Sequence, residues 1–125
     1  MTHARILLVD DEVPIRELLA EVLRDAGLDV VEARNADEAM RVLSGHEKVD
    51  ILLTDVQMPG KLDGIDLARN ARHIHADMPV VIISAYLHRA ADRTKGMIPT
   101  PLLVSKPYSL QRVVHQVQQL AGSLP

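Results

Sequence analysis

A doubly wound α/β fold, with five parallel strands in the order 2-1-3-4-5 and helices on both faces, is predicted by three features of this 125-residue sequence. Short β-rich apolar runs alternate with longer stretches of helical periodicity, the pattern of a parallel sheet joined by crossover helices. The runs Ile6–Val9, Ile51–Leu53 and Val80–Ile83 are continuously apolar, as strands covered on both faces are. Five such units fill one domain, 1–125, without repeat, low-complexity stretch or linker. Right-handed crossovers follow, and for five strands the 2-1-3-4-5 order fits best.

Ala4–Val9 reads as the first strand. Pro14 suits the opening turn of a helix reaching about Ala26, with Ile15, Leu18, Leu19, Val22 and Leu23 as its apolar stripe and Gly27 as its stop. Leu28–Ala33 is the second strand. Asn35 caps the next helix, Glu38 completes a capping-box-like pair, and Gly45 marks the end. Val49–Thr54 is the third strand; a loop runs through Gly64, and a helix covers about Ile65–Ile74. Pro79–Ser84 is the fourth strand, with proline tolerated at its start. Leu87–Lys95 leaves room for a short or mobile fourth helix, because Gly96, Pro99 and Pro101 crowd its end. Leu102–Ser105 is the fifth strand. Ser109 caps a last helix striped by Leu110, Val113, Val114, Val117 and Leu120.

Composition narrows the function. Apolar residues make up 47% and charged residues 25%, the balance of a globular chain. Tyr86 and Tyr108 are the only aromatics, so the core is aliphatic. The absence of cysteine excludes disulfides and thiolate metal sites. No apolar run approaches the ~20 residues that span a bilayer, and the N-terminus lacks a signal-peptide pattern, so the expected location is cytoplasmic. Residues 1–66 carry 15 acids and 7 bases, whereas residues 67–125 carry 2 acids and 7 bases. A net charge of −3 argues against nonspecific nucleic-acid binding. The asymmetry fits either two differently solvated faces or an acidic pocket with a separate basic partner face, which Arg89, Arg93, Lys95, Arg112 and His115 would form. The six histidines are scattered and read as surface residues, and the methionines as packing.

The chemistry gathers where such folds bind ligands, outside the carboxyl ends of the strands. Asp10, Asp11 and Glu12 follow the first strand, Asp55 follows the third, Ser84 ends the fourth, and Ser105-Lys106-Pro107 ends the fifth. Three converging aspartates repel one another unless protons or a divalent cation relieve them. Oxygen-only ligands favour a hard ion, Mg²⁺ or Mn²⁺. Such an ion favours a phosphoryl ligand, and a carboxylate can be the nucleophile that accepts it. Phosphoryl transfer is largely positioning and charge neutralisation: the metal, Lys106 and the Ser84 hydroxyl would each take one oxygen. Taken singly these residues fit blander roles, the Asp pair or Asp55 as turn formers, Ser84 as a helix cap, Lys106 as a solvated loop residue. Their joint placement on one sheet edge is the argument for a site.

These residues resemble the receiver domains of two-component response regulators, including the stand-alone chemotaxis type. The likeness covers the whole chain. It rests on Ile6-Leu7-Leu8-Val9-Asp10-Asp11-Glu12 with Arg16, on Leu53-Thr54-Asp55-Val56-Gln57-Met58-Pro59, on Asp63-Gly64, on Ser84-Ala85 and on Lys106-Pro107-Tyr108. The resemblance implies a flavodoxin-like (βα)5 fold and Asp55 as phosphoacceptor, loaded from a histidine kinase or phosphotransfer protein. It implies a metal pocket of Asp10, Asp11 and Asp55 completed by the Gln57 backbone carbonyl. Ser84 would be the switch hydroxyl, Lys106 the phosphate contact, and the Lys106–Pro107 peptide cis. A downstream protein target and a monomer or weak dimer are implied as well; that no nucleic acid or membrane is a partner is expected from the net charge and the short apolar runs.

Two positions depart from the family pattern. Leu103 stands where an aromatic is usual three residues before the lysine, and the loop Met58–Gly64 is one residue longer than the common form. Tyr86, two residues after Ser84, lies where a ring can exclude water from an acyl phosphate, so slow self-dephosphorylation is expected. The expected activity is self-catalysed phosphorylation and dephosphorylation, not turnover. A phosphorylation-independent interaction module is the first alternative. A Mg²⁺-dependent phosphatase of the haloacid dehalogenase type is a weaker one, since that chemistry uses an Asp-x-Asp pattern and a cap segment. A flavin module fits least, because an acidic loop after the first strand repels phosphate. Only Ser123-Leu124-Pro125 follow Gly122, which with the initiating Met favours a stand-alone regulator over a piece of a larger protein.

Overall fold

The computed structural model describes residues 3–124. Five strands and five helices alternate: β1 (Arg5–Val9), α1 (Val13–Asp25), β2 (Asp29–Ala33), α2 (Ala36–Leu43), β3 (Ile51–Asp55), α3 (Gly64–Ile74), β4 (Val80–Ser84), α4 (Leu87–Arg93), β5 (Leu102–Ser105) and α5 (Leu110–Gly122). The strands form one parallel sheet in the order β2-β1-β3-β4-β5, as expected.

Two aliphatic layers sandwich the sheet. On one face Leu7, Val9, Leu52, Val80 and Ile82 pack against α2, α3 and Ala90 of α4. On the other, Ile6, Leu8, Ile51, Leu53, Val81 and Ile83 pack against Leu19 and Leu23 of α1 and Val113 and Val117 of α5. Each such side chain contributes about 1.5–3 kcal/mol on burial, and this core offsets the repulsion among the carboxylates at the sheet's edge. β3 and β4 are buried along their whole length. The flanking strands β2 and β5 are only half-buried, so the two-sided cover holds for the centre of the sheet and not for its edges.

Three local readings are corrected, and one, the short fourth helix, is met. Ile15 and Leu18, placed in the α1 stripe by periodicity, are 43% and 48% exposed, because α1 presses only Leu19, Ala20 and Leu23 fully into the sheet. Asn35 does cap α2 through the Glu38 N–H, but the Glu38 carboxylate accepts from the Arg34 N–H, one residue before the cap. The full capping box lies instead on α3. The Asp63 carboxylate accepts from the Ile65 and Asp66 N–H groups, and Asp66 accepts from the Asp63 N–H. β3 extends through Asp55, so this aspartate ends the strand and does not lie in the loop. α4 is short, with seven residues and one buried side chain, Ala90.

Candidate functional site

The carboxyl ends of β1, β3, β4 and β5 bring the expected residues to one edge. Asp55 is 4% exposed and Asp10 6%. Carboxylate oxygens of Asp10, Asp11 and Asp55 all lie within 4.8 Å of one another. The Lys106 ammonium donates to Asp55 Oδ2 at 2.8 Å. Burial alone would lower the Lys106 pKa, but the bond to Asp55 and the attraction of Asp55 and Asp10 outweigh it, so the ammonium is held charged. Burial pushes the Asp10 carboxyl up; the Glu12 N–H bond opposes this and the Asp55 charge adds to it. The cluster therefore strains against its own charge, with Lys106 as its one paired cation.

Local hydrogen bonds hold Asp10, Asp55, Ser84 and Lys106. The Asp10 N–H donates to the Ala33 carbonyl at 3.1 Å, and Asp10 Oδ1 accepts from the Glu12 N–H at 2.9 Å. The Thr54 hydroxyl donates to the Asp55 carbonyl at 2.8 Å. Gly64 lies against that same carbonyl so closely that a Cβ there would stand 1.9 Å from the oxygen. Ser84 is buried; its Oγ accepts from the Tyr86 N–H at 2.9 Å, and its carbonyl accepts from the Lys106 N–H at 3.0 Å. Ser84 is therefore not the cap of α4, which starts from Tyr86 without a side-chain cap bond; its hydroxyl braces the turn before the helix, beside Lys106 on the site's edge. Gln57 is exposed on the loop two residues beyond Asp55. The Lys106–Pro107 peptide is cis, and so is Ile98–Pro99.

Other expectations divide. Tyr108 is half-buried against the α1–α5 layer, and burial with the nearby Asp10 charge pushes its phenol pKa up. Tyr86 is 49% exposed under the Arg89 guanidinium, 5.0 Å from the ring centre. Leu103 packs partly buried against the α2–α3 layer. On the expected basic face, Arg93 is ion-paired with Asp63 and Asp66, and the largely exposed Lys95 with Asp92. The six histidines are exposed. Reading the sequence missed the work of Thr54 and Glu32, polar residues inside otherwise apolar strands, a signal that could have found them.

The response regulator receiver domain pattern matches residues 6–118. The chain belongs to that family. It is 32% identical over 116 residues to the response regulator receiver protein CpdR of Brucella abortus, covering 93% of this chain and 95% of that protein. Against the phosphate regulon transcriptional regulatory protein PhoB of Pseudomonas aeruginosa, identity is 32% over 121 residues, with 94% of this chain and about half, 52%, of that protein covered. The response regulator TrrA of Thermotoga maritima, solved in complex with Mg²⁺ and BeF, superposes with a TM-score of 0.79 at 32% identity, covering 94% of this chain and 98% of that one. Receiver domains are signalling modules of two-component systems, not turnover enzymes, and act with histidine kinases or phosphotransferases. Among the described residues of this receiver domain, no helix is long and apolar enough to cross a membrane.

Proposed function

We propose that this receiver domain is a phosphoacceptor switch, with Asp55 as the acceptor. The observation that carries this reading is the buried Asp55 carboxylate, flanked by Asp10 and Asp11 and bonded to Lys106. The donor set is all oxygen and close enough to share one ion, which fits Mg²⁺, with Mn²⁺ acceptable. We assign Asp10, Asp11, Asp55 and the Gln57 carbonyl to that ion, which when bound neutralises charge on the cluster and on the transferred phosphoryl group.

The chain's own residues do the rest. An Asp55 oxygen forms a P–O bond as the P–N bond of a donor phosphohistidine breaks, and that electron pair returns to the donor imidazole. Lys106 passes from the Asp55 carboxylate to a phosphoryl oxygen, and the Ser84 hydroxyl turns to another. The buried strand end holds the nucleophile in line, the larger part of catalysis in phosphoryl transfer. The donor, a histidine kinase or phosphotransfer protein, docks on the exposed apolar start of α1, where Val13, Ile15 and Leu18 follow the acidic loop in the chain. Loading then alters affinity for a downstream protein.

The test is intact mass after incubation with acetyl phosphate, with and without Mg²⁺, on wild type and Asp55→Asn. One phosphoryl adduct that needs Mg²⁺ and is lost in the variant is the expected result. No adduct, with Mg²⁺ binding also absent, would favour a phosphorylation-independent interaction module.

A further inference from the structure

We propose that Arg16 is a positioning residue for the metal pocket, acting through the Asp10 main chain. The inference rests on the metal assignment above. Arg16, in the first turns of α1, turns its guanidinium back toward the sheet and is 14% exposed. One arm, Nη1, donates to the Asp10 carbonyl at 2.9 Å, and Nε donates to Glu32 Oε1 on β2 at 3.1 Å. Glu32 is gripped from its other oxygen by Arg24 at 3.4 Å, and Arg24 also donates to the Val30 carbonyl at 3.0 Å. The guanidinium is therefore fixed before it touches Asp10.

The consequence is for Asp10 and Asp11 together. Asp10 has its N–H on Ala33, its carbonyl on Arg16 and one carboxylate oxygen on the Glu12 N–H, which leaves Oδ2 for an ion. Fixing that carbonyl fixes the plane of the peptide that leads into Asp11. Asp11 is exposed, and among the described residues its carboxylate has no hydrogen-bond or ion-pair partner. Its place in the cluster is set by the backbone, hence by Arg16. Arg16 shares the single Glu32 carboxylate with Arg24, and its contribution to the pocket is geometric, through a planar fork that reaches two oxygens at once. A lysine ammonium has the charge but not the fork.

The experiment is Mg²⁺ affinity by calorimetric titration, with urea stability measured alongside, on wild type, Arg16→Met, Arg16→Lys, Glu32→Ala and Asp55→Asn. Residues that orient a ligand without touching the metal typically hold ~10–100-fold in affinity. Arg16→Met should weaken Mg²⁺ binding by roughly 10-fold or more, Glu32→Ala by less, and Arg16→Lys should fall between wild type and Arg16→Met. A residue that merely braces the fold would lower stability and leave the affinity of the folded protein unchanged; that result overturns the proposal. Full recovery with Arg16→Lys also overturns it, since charge alone would then suffice. Failure of the underlying site reading looks different: wild type takes up no Mg²⁺, or Asp55→Asn binds it as well as wild type.

Discussion

Replacing Gly64 with alanine tests how closely the α3 start is fitted to the Asp55 backbone. The new Cβ would stand 1.9 Å from the Asp55 carbonyl oxygen, 2.8 Å from its carbon and 3.0 Å from the Thr54 hydroxyl. Ordinary contact begins at 3.4 Å, so the two backbones must part by 3.4 less 1.9, about 1.5 Å. Neither can yield freely. The strand end is held by the Val56 N–H on the Ile83 carbonyl at 3.0 Å, and the helix start by the Gly64 N–H on the Val56 carbonyl at 2.8 Å. Forced overpacking of this kind costs about 1–3 kcal/mol, and a reacting group misplaced by ~1 Å loses on the order of 10²-fold in rate. The expected result is a lower urea midpoint together with a roughly hundred-fold slower phosphoryl loading from acetyl phosphate. Gly60→Ala is the control. Gly60 has a φ of +108° and nothing within 4 Å of its Cβ position, so alanine there costs backbone strain of ~1–3 kcal/mol without touching Asp55. Wild-type loading in Gly64→Ala, or equal losses of loading in the two variants, would refute the reasoning.

Four further outcomes follow from the geometry. A double-mutant cycle of Asp63→Asn and Arg93→Ala, read by urea denaturation, should give a coupling of about 0.5–1 kcal/mol, modest because the pair is partly exposed and screened. Burial pushes the Asp63 carboxyl up, but the Arg93 and backbone N–H bonds outweigh it and hold it below its ordinary 3.8. Its contribution is therefore present above 3.8 and lost as pH falls through the lowered folded value, and Asp63→Asn should flatten the acid limb of stability below about pH 4. Tyr86→Ala should shorten the lifetime of the loaded state by admitting water, measured by the decay of the phosphoryl adduct; slower decay in the variant would contradict this. Ile15→Ser and Leu18→Ser should each slow transfer from a phosphohistidine protein by roughly 10-fold, the effect of ~1.4 kcal/mol at a contact, and leave loading from acetyl phosphate unchanged. Equal slowing with both donors would remove α1 from the docking face.

The site was legible because topology converts sequence position into space. In a parallel sheet, the residues just past successive strands share one edge, so Asp10, Asp55, Ser84 and Lys106 could be gathered without coordinates. What stayed hidden depends on distances between elements. Periodicity placed Ile15 and Leu18 on an apolar stripe, but it does not say how wide a strip of α1 the sheet covers. Arg93 read as a free cation because its partners, Asp63 and Asp66, lie some 30 residues away in the chain. Glu38 carried the right spacing for a capping box, yet its side chain chose the Arg34 N–H and guanidinium, a stronger charged partner than the cap N–H alone. Gly64 looked like a loop residue; its role comes from the Asp55 backbone it touches, which no local pattern reports.

Those hidden contacts bear on how a receiver domain with Leu103 in place of a ring connects its site to its surface. α4 buries one side chain, Ala90, and is otherwise fastened by polar ties to α3. Arg93 grips Asp63 and Asp66, and Arg69 donates to the Arg93 carbonyl. Asp63 immediately precedes Gly64, the residue pressed against Asp55. A displacement of the Asp55 strand end would have a route to α4 through one glycine, one cap and one ion pair, with no aromatic rotation. Charge ties can be exchanged at small cost, whereas a helix held by several buried leucines cannot move without opening a cavity. Measuring the Asp63–Arg93 cycle in the protein loaded with beryllofluoride and again without it decides the matter. A coupling energy that changes by about 0.5 kcal/mol or more on loading makes the pair part of the switch; an unchanged value makes it a static brace, and the relay must then run through Leu103 or the tyrosines.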